Sequence, residues 1–70
     1  MSKQANGKAR AKELRALRES TGLSGAQFAE LLGLRRESLW RLENEQRAIS
    51  ELTLRAARLL VEKLEKERGQ

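Results

Sequence analysis

Gly22 and Gly33 bracket the segment that most limits what this 70-residue chain can fold into, GLSGAQFAELLG. Ser24 followed three residues later by Gln27 is a capping-box pattern, in which each side chain can bond the other residue's backbone N–H. Leu23 and Phe28 stand at the two positions of a hydrophobic staple. Together they set a helix start at Gly25, and Gly33 suits the left-handed position that ends a helix. The interval holds one short helix, Gly25 to Leu32, with Phe28, Ala29 and Leu32 turned inward.

Other elements follow from that anchor. The chain has no Pro and is rich in Ala, Leu, Glu, Arg and Lys, so its intrinsic preference is helical. The opening MSKQANGKAR offers almost no large apolar residue, and residues 1–8 are expected to form a flexible basic arm. Residues 9–68 are then one domain, with helices at about 9–20, 25–32, 36–44 and 51–68. Leu14 and Leu17 face inward on the first, and Gly22 suits the left-handed position after it. Leu34 bridges a tight turn after Gly33, so the second and third helices form a helix-turn-helix.

Ser50 is a second N-cap, with Ile49 and Leu54 as its staple. On the last helix Leu54, Ala57, Val61 and Leu64 share one side at about 100° per residue. Leu52, Ala56, Leu59 and Leu60 widen the apolar arc to roughly 220°, about twice what one core-facing helix requires. Two readings stand: a deeply embedded helix, or one with a homodimer interface at Leu52, Ala56, Leu59, Leu60 and Lys63.

The residue inventory excludes several chemistries. There is no Cys, His, Asp or Tyr, so disulfides and the usual zinc ligand sets cannot be built. General acid–base work would fall to Glu or Lys alone, and the five glycines are scattered at joints, so no phosphate loop is present. No enzymatic activity and no cofactor are expected. The net charge is +5, and residues 1–23 supply most of it, with six Lys/Arg against two Glu. Such a balance points to a polyanion, either nucleic acid or an anionic membrane surface. A membrane surface is disfavoured because the polar residues of the last helix are nearly balanced in charge. RNA is disfavoured by the lack of a Phe/Tyr stacking platform. No apolar run approaches the ~20 residues of a bilayer span and no signal-like segment opens the chain, so a cytoplasmic location is expected.

The third helix carries the most polar stretch, RRESLWRLEN. With Leu39 and Leu42 taken as core-facing, the same step turns Glu37, Asn44 and Arg41 almost directly outward. Trp40 and Arg36 lie on one flank, Ser38 on the other, and Glu43 at the core edge. A face of Arg, Glu, Trp, Asn and Ser suits base edges and phosphates, although a run of charge is often only a wet surface.

Taken whole, LRALRESTGLSGAQFAELLGLRRESLWRLENEQRAIS resembles the Cro/CI-type (XRE-family) helix-turn-helix of phage and bacterial repressors, over about residues 14–60. The likeness rests on Arg18, the Gly22–Ser24 start, Ala29, Gly33, the Leu39/Leu42/Glu43 trio and LTLRAARLL. It implies an all-α, compact, four- to five-helix lambda-repressor-like domain with a long C-terminal helix. Its third helix would enter the major groove of double-stranded DNA.

Carried over by position, Arg36, Glu37 and Arg41 fall where the family contacts base edges, with Ser38 and Trp40 adjacent. Phosphate contacts are implied at Ser24, Gln27, Arg35, Asn44, Arg47 and Arg18. Arg18 and Glu43 also match a pair that in some members ties the first helix to the third. Trp40 can meet a thymine methyl or sugar, the domain's own flank, or a partner subunit.

The departures are Gly25 for a common Gln, Arg35 for the usual Ser/Thr cap, Glu45 and Gln46 for Gly and Lys, and Ile49 for Pro. The expected function is a homodimeric transcriptional repressor at an inverted repeat, prokaryotic or phage-encoded, with no small-molecule effector evident. Lys3, Lys8, Arg10 and Lys12 would add backbone contacts. The alternative is an antitoxin-like module that binds another protein through its last helix.

Overall fold

The computed structural model describes the backbone of residues 3–69 and side chains from residue 7 onward. Four helices make up the described residues: α1 Lys3–Thr21, α2 Gly25–Leu32, α3 Arg36–Glu43 and α4 Glu51–Arg68. α1 and α4 pack against one another, and the α2–α3 pair lies across them.

Both predicted caps form. The Ser24 hydroxyl oxygen accepts from the Gln27 backbone N–H at 3.1 Å while Gln27 Oε1 accepts from the Ser24 N–H at 3.1 Å. Ser50 accepts from the Thr53 N–H at 3.1 Å. Gly33 adopts φ 79°, and its N–H reaches back to the carbonyls of Ala29 and Glu30, closing α2 after two turns. The short α2 and its left-handed exit at Gly33 let α3 start three residues later while both still reach one core.

That core joins Ala11 and Leu14 of α1, Phe28 and Ala29 of α2, and Leu39 and Leu42 of α3 to Ile49, Leu54, Ala57 and Val61. Phe28, Leu14 and Ala57 have no exposed surface. Truncation to Ala would cost about 3–5 kcal/mol at Phe28 and about 2–5 kcal/mol at Leu14.

Three departures from the sequence expectation stand out. In place of a flexible arm over residues 1–8, the backbone is helical from Lys3; Met1 and Ser2 lie outside the described residues. Once α1 is nucleated by packing, extension adds a hydrogen bond per residue fixed, and no proline interrupts it, so an apolar face is not required there. α3 stops at Glu43, with Asn44 as its C-cap, one residue short of the expected end. The embedded reading of the last helix does not hold, because Leu52 is 74% and Leu59 64% exposed. α4 instead carries an exposed apolar stripe opposite its buried one, with the half-buried Leu60 and Leu64 between them.

Glu45, standing where the family commonly has Gly, has φ 62°. The turn after α3 needs a left-handed residue here, and that need explains the family preference.

Candidate nucleic-acid interface

α3 is held by two leucines and one carboxylate. Leu39 and Leu42 are buried, and the Glu43 side chain, 7% exposed, lies beneath two α1 arginines. Arg18 donates to it through Nε at 2.8 Å and Nη2 at 3.1 Å, and Arg15 Nε stands 3.8 Å away. The hydrogen bonds to Glu43 raise the Arg18 pKa above its ordinary value, outweighing burial, which pulls it down. This forked geometry uses two of the guanidinium's five N–H groups and leaves others for a phosphate. Its first consequence is mechanical: the carboxylate sets both the rotation of α3 and its distance from α1.

With that face pinned, Arg36, Glu37, Trp40, Arg41 and Asn44 point to solvent, and Ser38 is half-buried on the flank. Arg41 Nη2 lies 4.0 Å from Glu37 Oε2, one turn back. Glu37 therefore lies beside Arg41 without enclosing it. Trp40 is 54% exposed rather than packed into the domain's flank. It lines a groove of about 680 Å³ together with Arg18, Gly25, Arg35, Arg36 and Glu43. Three guanidinium groups and the N-terminal end of α2 meet two carboxylates there, Glu37 and Glu43, so the balance of the groove is positive by a single charge. Open space surrounds the position where Gly25 would carry a Cβ.

The remaining site residues differ in what they still offer. Ser24 and Gln27 satisfy each other's backbone yet keep the hydroxyl proton and the Gln27 amide donors. Arg35 occupies the N-cap of α3 with extended backbone and makes no side-chain cap bond, so its guanidinium is uncommitted. Asn44 donates one amide proton to the Trp40 carbonyl at 2.8 Å. Arg47 is exposed in the loop before α4. Of the α4 residues, Leu52, Ala56, Leu59 and Lys63 are exposed, whereas Leu60 is half-buried and packs on the core.

Among the basic residues of α1, one leaves the expected DNA-facing set. Arg10 does not face outward with Lys8 and Lys12; its Nη1 donates to the Ile49 carbonyl at 2.8 Å and its Nη2 meets Glu51 at 3.1 Å. Two residues from Lys8 is about 200° round a helix, and that step already separates them. Arg15, not singled out by the sequence, stands with the two lysines instead: seven residues from Lys8, it shares a cleft of about 410 Å³ with Lys8, Lys12, Glu43, Asn44 and Glu45. Lys3 has its side chain outside the described residues.

The long helices are clamped by Arg58, which donates to both Glu13 oxygens at 2.6 and 3.0 Å. Among the described residues no cluster suited to a metal occurs, and no helix is long and apolar enough to cross a membrane. The family described as a helix-turn-helix domain matches residues 11–63. No curated protein and no solved structure matches the chain.

Proposed function

We propose that this chain, which belongs to the helix-turn-helix domain family, is a sequence-specific DNA-binding transcriptional repressor of the Cro/CI (XRE) type. It acts as a homodimer, with α3 of each copy in the major groove of one half of an inverted repeat. The observation that carries this reading is the exposed Arg36, Glu37 and Arg41 on a helix whose opposite side is fixed by Leu39, Leu42 and Glu43.

Each group has a chemical task. Arg36 and Arg41 can donate in pairs to guanine O6 and N7, and Glu37 can accept from cytosine N4. Glu37 also stands 4.0 Å from Arg41, so a carboxylate lies beside that arginine on the same exposed face. A carboxylate among phosphates weakens non-specific attraction, so Glu37 favours selectivity over affinity. Trp40 presents a flat apolar surface beside Arg36, suited to a thymine methyl or deoxyribose. Ser24, Gln27, Arg35, Asn44 and Arg47, with the free edge of Arg18, supply phosphate contacts that set register. Ser38, half-buried, is left the least reach to a base.

One short helix spans only a few base pairs, so two copies are needed for a usable operator, with half-sites about 34 Å apart. Binding-site selection from random duplexes at fixed salt tests the proposal. A twofold-symmetric consensus supports it, and recovery of no preferred sequence overturns it. Trp40, the only tryptophan, makes its own fluorescence a direct reporter of complex formation.

The exposed Leu52 and Leu59 favour a second reading, an antitoxin-like module binding another protein through α4. In that case substitutions on α4 abolish capture of the partner, while those on α3 leave it intact.

A further inference from the structure

The outer face of α4 has its own regularity. Leu52, Ala56, Leu59 and Lys63 succeed one another at spacings of four, three and four, and all are exposed. At about 100° per residue this stripe lies roughly 160° from the buried Leu54, Ala57 and Val61, so it is a second face and not the rim of the core. Arg55 and Glu62, seven residues apart, lie together along one edge of the stripe. Both are exposed, and neither has an ion-pair partner among the described residues. An apolar groove of about 230 Å³, lined by Leu32, Leu34, Leu52 and Ala56, continues the stripe toward the α2–α3 turn.

Resting on the homodimer reading, we propose that two copies of this chain pair α4 against α4 in antiparallel. Leu59 of each sits over Ala56 of the other, and Arg55 of each faces Glu62 of the other.

Symmetry and charge both favour this register. A twofold axis perpendicular to two antiparallel helices brings the same edge of each helix to the same side of the contact. Positions 55 and 62 then meet as opposite charges, twice per dimer. The small Ala56 leaves a hollow between Leu52 and Leu59 that a leucine of the second copy can fill as a knob. Lys63 comes opposite Leu52, where its methylene stem can cover the leucine while its ammonium stays in water. A parallel pairing sets Lys63 against Lys63 in the seam and leaves Arg55 and Glu62 on opposite sides of it. The charges therefore select the direction, which area alone does not.

Two measurements on the full chain test this. In sedimentation equilibrium R55E and E62R each weaken association by about tenfold or more, and R55E/E62R together restore it, because like charges face each other in the singles and opposite charges in the double. Far-UV circular dichroism checks that all three stay folded. Singles that associate as tightly as the parent, or a double as weak as the singles, overturn the register and leave the homodimer standing. A parent that stays monomeric at high concentration, or associates only with a different protein, overturns both.

Direction is read by cross-linking, since the chain has no native cysteine. Antiparallel pairing puts position 63 beside position 52 of the other copy, and the two copies of position 63 roughly 16 Å apart at ~1.5 Å per residue. A mixture of L52C and K63C should then form the unlike disulfide, with little K63C–K63C product, because bridged Cα atoms must lie within about 7 Å. A dominant K63C–K63C product marks parallel pairing and overturns the proposal.

Discussion

α3 buries Leu39 and Leu42 and turns Arg36, Glu37, Trp40 and Arg41 outward; α4 buries Leu54, Ala57 and Val61 and turns outward Leu52, Ala56 and Leu59. Both are amphipathic in the sense that one side feeds the core. They differ in what the free side can exchange for water. Guanidinium groups on α3 lose little hydration in solution and gain forked, charge-assisted bonds only against an anionic partner. Leucines on α4 gain from any apolar surface, and their exposure is unfavourable until one arrives. The same device, a pinned helix, thus leaves a polar face free on α3 and an apolar face free on α4. Under the proposed function recognition falls to α3 and assembly to α4, with no residue serving both.

That division can be broken at its pin first. Arg18→Ala leaves the 7%-exposed Glu43 with only Arg15 at 3.8 Å, and should lower stability by about 3 kcal/mol, the low end for half of a buried pair, as read from urea unfolding. Since the same pair orients α3, DNA binding should fall further than the loss of stability alone explains.

On the free side of α4, Leu59→Glu should cost about 2 kcal/mol or more in self-association, the scale of an interface hot spot, and leave the unfolding midpoint nearly unchanged at concentrations where the parent is monomeric. A loss of fold stability instead would show that the leucine belongs to the core. Arg41→Ala should do the reverse, keeping the dimer while weakening operator binding by about 1–3 kcal/mol and relaxing preference at one base pair. Uniform weakening at every sequence would reassign Arg41 to a phosphate.

Smaller effects sharpen the scaffold between the two helices. Glu45→Gly relieves a left-handed residue at φ 62° and should add about 1 kcal/mol of stability, less the greater unfolded-state freedom of glycine. Glu13→Gln should have the least effect. The hydrogen bonds from Arg58 hold the Glu13 carboxyl below the usual carboxylate range. A depressed folded pKa gives stability that is present above the unfolded value and lost as pH falls through the folded one. The parent should therefore exceed the variant slightly near neutrality, and the gap should close in acid, where both carry an uncharged side chain.

Much of this architecture is written locally. Ser24 with Gln27, Ser50, and Gly33 are read from a few neighbouring letters because caps and left-handed stops depend only on nearby backbone. The inward set Leu14, Phe28, Leu39 and Leu54 follows from helical period, and the outward set of α3 follows from it by subtraction. The pairing of Arg18 with Glu43, 25 residues apart, is legible only through resemblance, since no periodicity links separate helices. Arg10 shows the opposite case. Its charge suggests DNA, but the path of the loop before α4 places the Ile49 carbonyl and Glu51 within its reach.

The amino-acid order alone therefore determined the bounds of α2 and α4, which leucines go inside, and that α3 would carry its arginines on the far side. Those properties depend on contacts within a turn or two of the chain. Tertiary structure alone decided which α4 leucines stay in water and that Trp40 lines an open groove. Each of these depends on which surfaces remain after distant helices have met, and that is a property of the packed chain as a whole.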